Sequence, residues 1–245
     1  SDLATQVGNL ADTQVQSLTE TQIAGLSATQ IKGLETTDLG LLTTTQFSLL
    51  STTQVAAFTT TQVKALADTQ VSGLSTTQLN GLTVTQLNAL ETTDLQALTT
   101  TQVAGLSTTQ VKALSTTQIT DLTDAQAAVL TGAQIGALSA TQAAALDVTD
   151  FAAFTTTQSA ALTATQLGTL DATDLGALST TNIALLSTTQ LKGLTATQVG
   201  SLGDTQVLAL TETQIGSLSA TQVKGLETTD LGTLTTDRKS TRLNS

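Results

Sequence analysis

Apolar residues return along this chain at a fixed interval of eight. Leu10, Leu18, Leu26 and Leu34 begin a series that runs to Leu234, so that 29 octads follow one another from Leu3 without an insertion or deletion. With this residue at place eight of its octad, place eight is Leu in 27 octads and Phe in two, Phe58 and Phe154. Place five is Val, Ile or Leu with few exceptions, and it holds the other two aromatics, Phe47 and Phe151. Places five and eight are the predicted core. Because internal repeats align a chain with itself, the remaining places can be read in the same way.

Place one is Ser or Thr in 20 octads, and place four is Gln in 23, Asn in one and Asp in five. A Ser or Thr followed three residues later by Gln is the capping box of a helix start. Where Ala11, Ala67 and Gly203 abandon the cap, an acid follows at once: Asp12, Asp68 and Asp204. Acids in a first turn complement the positive end of the helix dipole. Places five and eight, three apart, then share one helical face.

The octads cannot form one continuous helix. Two apolar residues per eight give a mean spacing of four, and such a stripe drifts about 40° at each step against a 3.6-residue turn. A regular strand fits no better, since places five and eight would face opposite ways. What fits is a helix of roughly two turns, about 10 Å long, in each octad, with a corner at the Leu–Ser/Thr junction. Glycine, at places six and seven in 15 of its 17 occurrences, would let backbones come close there. Helices this short are stable only when stacked, which predicts an all-α solenoid of very short capped helices. Three or four octads would make a coil, and the whole array a rod on the order of 70–100 Å at the usual helix spacing of ~8–10 Å. The alternative is a β-solenoid with short strands across places three to five, where Thr and Val favour extended chain.

The array occupies residues 3–234 as a single solenoid, residues 1–2 precede it, and residues 235–245 form a tail outside the pattern. The last nine residues, "DRKSTRLNS", are similar to one translated frame of a common sequencing adapter. On that reading they are an artefact and the array continues past Thr236; the alternative is a genuine basic tail. A stretch at Glu20–Gly40 also recurs nearly unchanged at Glu212–Gly232, which suggests a window on a longer array.

Composition removes most chemistries. The chain has no Cys, His, Trp, Tyr, Met or Pro, so it lacks disulfides, thiolate metal sites and the usual acid–base and nucleophilic side chains. No catalytic residue and no cofactor is expected. Net charge is −11 over the chain, which repels phosphate backbones, and no Tyr or Trp is available for base stacking. Nucleic-acid binding is not expected. Neither a membrane-spanning run of about 18–20 apolar residues nor a signal peptide is visible, so no membrane insertion is expected.

One coupled substitution suggests a site. The five octads with Asp at place four also carry an acid at place one: Glu35/Asp38, Glu91/Asp94, Asp147/Asp150, Asp171/Asp174 and Glu227/Asp230. Two carboxylates three residues apart, completed by Thr hydroxyls and corner carbonyls, could hold Ca²⁺, a cation that takes oxygen ligands. The plainer reading is that helix N-termini welcome anions. Place three, Thr in 27 octads, is expected to face the corner and satisfy backbone groups there.

The phrase T-Q-[VIL]-x-x-L in unbroken tandem resembles the arrays of very large bacterial surface and secreted proteins of the repetitive, adhesin-like class. That resemblance implies an extracellular or cell-surface filament, stalk or spacer, associating with itself end to end or laterally. The competing class is a binding surface, for ice through a Thr ladder or for sugars and cations through the acidic face. A flat, exposed Thr array would favour the second class.

Overall fold

The computed structural model describes residues 10–226; the start of the first octad, the Glu227/Asp230 pair and the tail from residue 235 lie outside them. The described chain holds 27 helices of four to six residues, one in each octad, and no strand among the described residues. The β-solenoid alternative is therefore set aside. The helices are also shorter than the two turns expected, because each stops before its place-eight residue, which turns into the core.

The local cause is visible in any octad. Thr99 is extended (φ −67°, ψ 156°), the helix runs Thr100–Gly105, and Leu106 is extended again (φ −61°, ψ 139°). The next cap, Ser107, is extended too (φ −67°, ψ 153°). Two consecutive extended residues thus make each corner. Among the described residues none has positive φ, so the corner needs no glycine.

The chain divides into two compact units, up to Val129 and from Leu130 onward. Within each, successive coils stack in one register. The helix Thr52–Ala56 packs on Thr76–Gly81, three octads later, and Gly132–Ala137 packs in the same way on Thr156–Ala161. Side chains at place four reach back 28 and 31 residues, while Asn80 reaches forward 25 to the Gly105 carbonyl. These offsets centre on 28, so a coil is about three and a half octads. Octads of neighbouring coils are consequently staggered by half their length, like bricks in a wall.

Glycine serves close packing between coils. A methyl group on Gly193 would collide with the Ala164 carbonyl, and one on Gly225 with that of Ala196. In the first unit a methyl on Gly105 would stand 2.8 Å from Thr76 Cγ2. The core is the column of places five and eight, as the pattern predicts: Val71, Val111, Ile135 and Leu175 have no exposed surface. Phe47 stacks on Phe58 with ring centroids 5.8 Å apart, and Phe151 tilts against Phe154 at 5.0 Å. One place-five residue is polar: Ser159, 1 % exposed, whose hydroxyl has no partner.

Candidate functional site

The residue that organises each octad is the one at place four. Gln102 accepts a hydrogen bond from the Thr99 amide on Oε1 at 2.7 Å, while its own amide donates to Thr99 Oγ1 at 3.2 Å. This is the predicted capping box. The other end of the same side chain does a second job: Nε2 donates to the carbonyls of Val71 at 3.0 Å and Leu74 at 2.6 Å, in the preceding coil. Gln62 repeats it on Ile31 and Leu34, and in the second unit Gln166 on Ile135 and Leu138, and Gln198 on Leu167 and Leu170. A buried amide whose oxygen caps its own helix and whose nitrogen ties the coil behind it forms one rung of a ladder.

Sequence reasoning found the box and missed the rung. The signal was present, however. A capping box accepts Glu as readily as Gln, yet Glu never occupies place four in 29 octads. Only a required amide nitrogen explains that exclusion.

Substitutions at place four show what a rung needs. Asn182, one methylene shorter, still donates from Nδ2 to the Phe154 carbonyl at 2.8 Å, although it no longer boxes its own cap. Aspartate keeps the box and loses the donor. Asp94 Oδ2 accepts from the Glu91 amide at 3.1 Å and Asp150 Oδ2 from the Asp147 amide at 3.0 Å. Asp38 and Asp94 are each only 3 % exposed, and Asp38 Oδ2 has no hydrogen-bond partner.

The place-one acids are N-caps. Asp147 Oδ1 accepts from the amides of Thr149 and Asp150 at 2.8 and 3.0 Å, and Asp171 Oδ1 from Thr173 and Asp174 at 2.7 and 2.8 Å. Glu35 and Glu91, longer by one methylene, are exposed and make no such side-chain cap. Asp12, Asp68 and Asp204 stand in their first turns without capping the helix, so their contribution is through the dipole alone. Among the described residues no three acids gather where a metal ion could be held. Each pair is two carboxylates with separate hydrogen-bonding duties, and Glu227/Asp230 lies outside the described residues.

Burial raises the pKa of the place-four acids. Asp174 is pushed up to about 6, by burial first and then by the charge of Asp171, with Asp147 adding to it. Asp94 is raised by burial against the pull of the Glu91 amide, with Asp68 and Glu91 adding to the rise. Asp38 is raised in the same way, by burial first, with Glu35 and Asp12 as the neighbouring charges.

Place three corrects an expectation. Its Thr is exposed in every described octad, and the hydroxyl that caps each helix belongs to place one. The reason is geometric: place three lies inside the first turn on the side opposite places five and eight. No deep pocket interrupts this surface; a depression of about 480 Å³ beside Gly176 and Gln206 is open and lined by small and hydroxyl side chains. Among the described residues no helix is long and apolar enough to cross a membrane.

Three stretches of the chain, residues 31–68, 87–124 and 169–204, match the family model of the ALTTAQ repeat. That phrase runs from place seven to place four, and stands here as A-L-T-T-T-Q at Ala97–Gln102. No curated protein matches the chain. The chain is thus a tandem-repeat protein folded as a helical solenoid, with ALTTAQ repeats recognised in three separate stretches of it.

Proposed function

We propose that the array is a structural element, a stiff spacer or stalk of an extracellular or cell-surface protein that associates with itself end to end or laterally, and that it performs no catalysis and binds no nucleic acid. The observation that carries this reading is the uniformity of the ladder. The same rung recurs from octad to octad, and the surface outside it is small residues, hydroxyls and dispersed acids. A fold that repeats one interaction gains length and stiffness without gaining a reaction centre. Electron microscopy of the purified chain tests it. Filaments of uniform width support a self-stacking subunit and separate rods a spacer, whereas compact particles without a long axis would refute both.

A second reading has one observation in its favour. The exposed place-three Thr side chains suit a binding surface, including one for ice. The stagger weighs against a closely spaced ladder, because equivalent places realign only after two coils of about 28 residues. Thermal hysteresis measured on the chain decides this; its presence would replace the scaffold reading. Calcium held by the acid pairs belongs to this second class too, and a calcium-dependent rise in melting temperature would support it.

A further inference from the structure

We propose that the place-four aspartates are acid-operated rungs: each takes up a proton in the gap where glutamine carries its amide, and then hydrogen-bonds the coil behind it. The inference is independent of where the protein resides.

Asp94 shows the geometry. In the register of the ladder it faces the carbonyls of Val63 and Leu66, which stand where Val71 and Leu74 stand for Gln102. The Val63 carbonyl is taken by the Leu66 amide at 3.2 Å, whereas the Leu66 carbonyl receives no hydrogen bond. An ionised Asp94 therefore sets oxygen against oxygen inside a buried layer. A proton on the carboxyl converts one acceptor into the missing donor. Asn182 demonstrates the reach, since it has the length of aspartate and donates to its place-eight carbonyl at 2.8 Å. A protonated aspartate is the oxygen counterpart of that side chain.

The same situation recurs. Asp38 is buried with Oδ2 unpartnered, and Asp174 faces the carbonyls of Ala143 and Leu146, the second of which receives no hydrogen bond. Asp38 and Asp94 are 56 residues apart, two coils, and so occupy one column of the first unit. The charges around the three are acidic. Glu35 and Asp12 act on Asp38, Asp68 and Glu91 on Asp94, Asp171 and Asp147 on Asp174. Asp121 follows in the coil beyond Asp94, accepting from Thr92 Oγ1 at 2.7 Å. The helix under Asp94, Thr60–Lys64, carries one cation, Lys64, which is exposed.

The sign follows from linkage. A carboxyl whose folded pKa is raised binds its proton more tightly in the folded state, so folding is favoured below the ordinary carboxylate range. That gain is lost as pH rises through the folded value, about 6 for Asp174.

The test compares three full-length chains by thermal melting at pH 5 and pH 7.5: wild type; Asp38→Asn, Asp94→Asn, Asp150→Asn, Asp174→Asn and Asp230→Asn combined; and a control neutralising five exposed place-two acids, Asp12→Asn, Glu20→Gln, Asp68→Asn, Asp124→Asn and Asp204→Asn. Wild type and control are expected to melt at least about 2 °C higher at pH 5. The place-four variant is expected to lose that difference. A flat wild-type response, or an undiminished one in the place-four variant, overturns the proposal. So does 1 mM Ca²⁺ at pH 7.5 reproducing the acid gain, since a cation would then fill the gap. If the variant fails to fold, carboxyl ¹³C titration of the wild type decides, with a midpoint for Asp174 near 6 expected and one in the ordinary range contradicting it.

Discussion

Gln102 Nε2 lies 2.6 Å from the carbonyl oxygen of Leu74, 28 residues earlier in the chain. That bond joins two levels of structure in one side chain, because the oxygen of the same amide holds the Thr99 amide at 2.7 Å. A helix of six residues has no independent stability. Here its first turn is organised by the group that ties it to the coil behind, so helix formation and coil stacking are one event.

Gln102→Leu should accordingly cost more than a surface change. It leaves the Thr99 amide and the Leu74 carbonyl unsatisfied, and buried polar groups without partners cost about 1–3 kcal/mol each. A loss of about 3 kcal/mol in denaturant unfolding is expected. Gln102→Glu keeps the box and removes only the donor, so its penalty should shrink at acid pH while that of the Leu variant stays constant.

Ser159→Val should stabilise the second unit. The hydroxyl of Ser159 is 1 % exposed and unpartnered, in a place that Val, Ile or Leu fills elsewhere. Removing an unsatisfied buried hydroxyl and adding apolar contact is worth about 1–3 kcal/mol. An upward shift of the melting temperature checks it.

Two glycines with the same helical preference should respond oppositely to alanine. Gly176 has open space around it, so Gly176→Ala should gain about 0.4–1 kcal/mol by restricting the unfolded chain. Gly193 abuts the backbone carbonyl of Ala164, so Gly193→Ala must push two coils apart and should destabilise. Chemical denaturation of the two variants side by side reads the difference.

Capping contributes locally. Ser107 Oγ accepts from the Gln110 amide at 3.2 Å, and Ser107→Ala should cost about 1 kcal/mol. The remaining bond from the Ser107 amide to Gln110 Oε1 at 3.1 Å limits the loss. Hydrogen exchange at Gln110 should accelerate more than at Gln126, two octads away.

What could be read from the chain was what an octad decides by itself. Val71 and Leu74 are buried because places five and eight share a helical face, and Ser107 caps because Gln110 follows three residues later. The contact between coils was not legible in the same way. Its offset, 28 residues, is no multiple of eight, so aligning octads with one another hides it. Two traces were nevertheless present: the absence of Glu at place four, and the 56-residue spacing of Asp38, Asp94 and Asp150, which is two coils. Place three was misread for a related reason. Its Thr was assigned to the corner, but the corner is made by two extended residues whose needs place one and place four already meet. For the acid pairs, spacing within the octad suggested a shared ligand, whereas the coil behind sets the surroundings of Asp94.

The coil register is the claim on which the rest depends, and cysteine cross-linking tests it directly. The chain has no native cysteine, and a Cβ built at Gly105 stands 3.2 Å from Thr76 Cβ, close to disulfide reach. Mild oxidation of Thr76→Cys/Gly105→Cys should give a rapid intramolecular disulfide, while Thr76→Cys/Ala113→Cys, one octad out of step, should stay reduced. Cross-linking of the second pair as fast as the first, or of neither, would contradict a coil of three and a half octads.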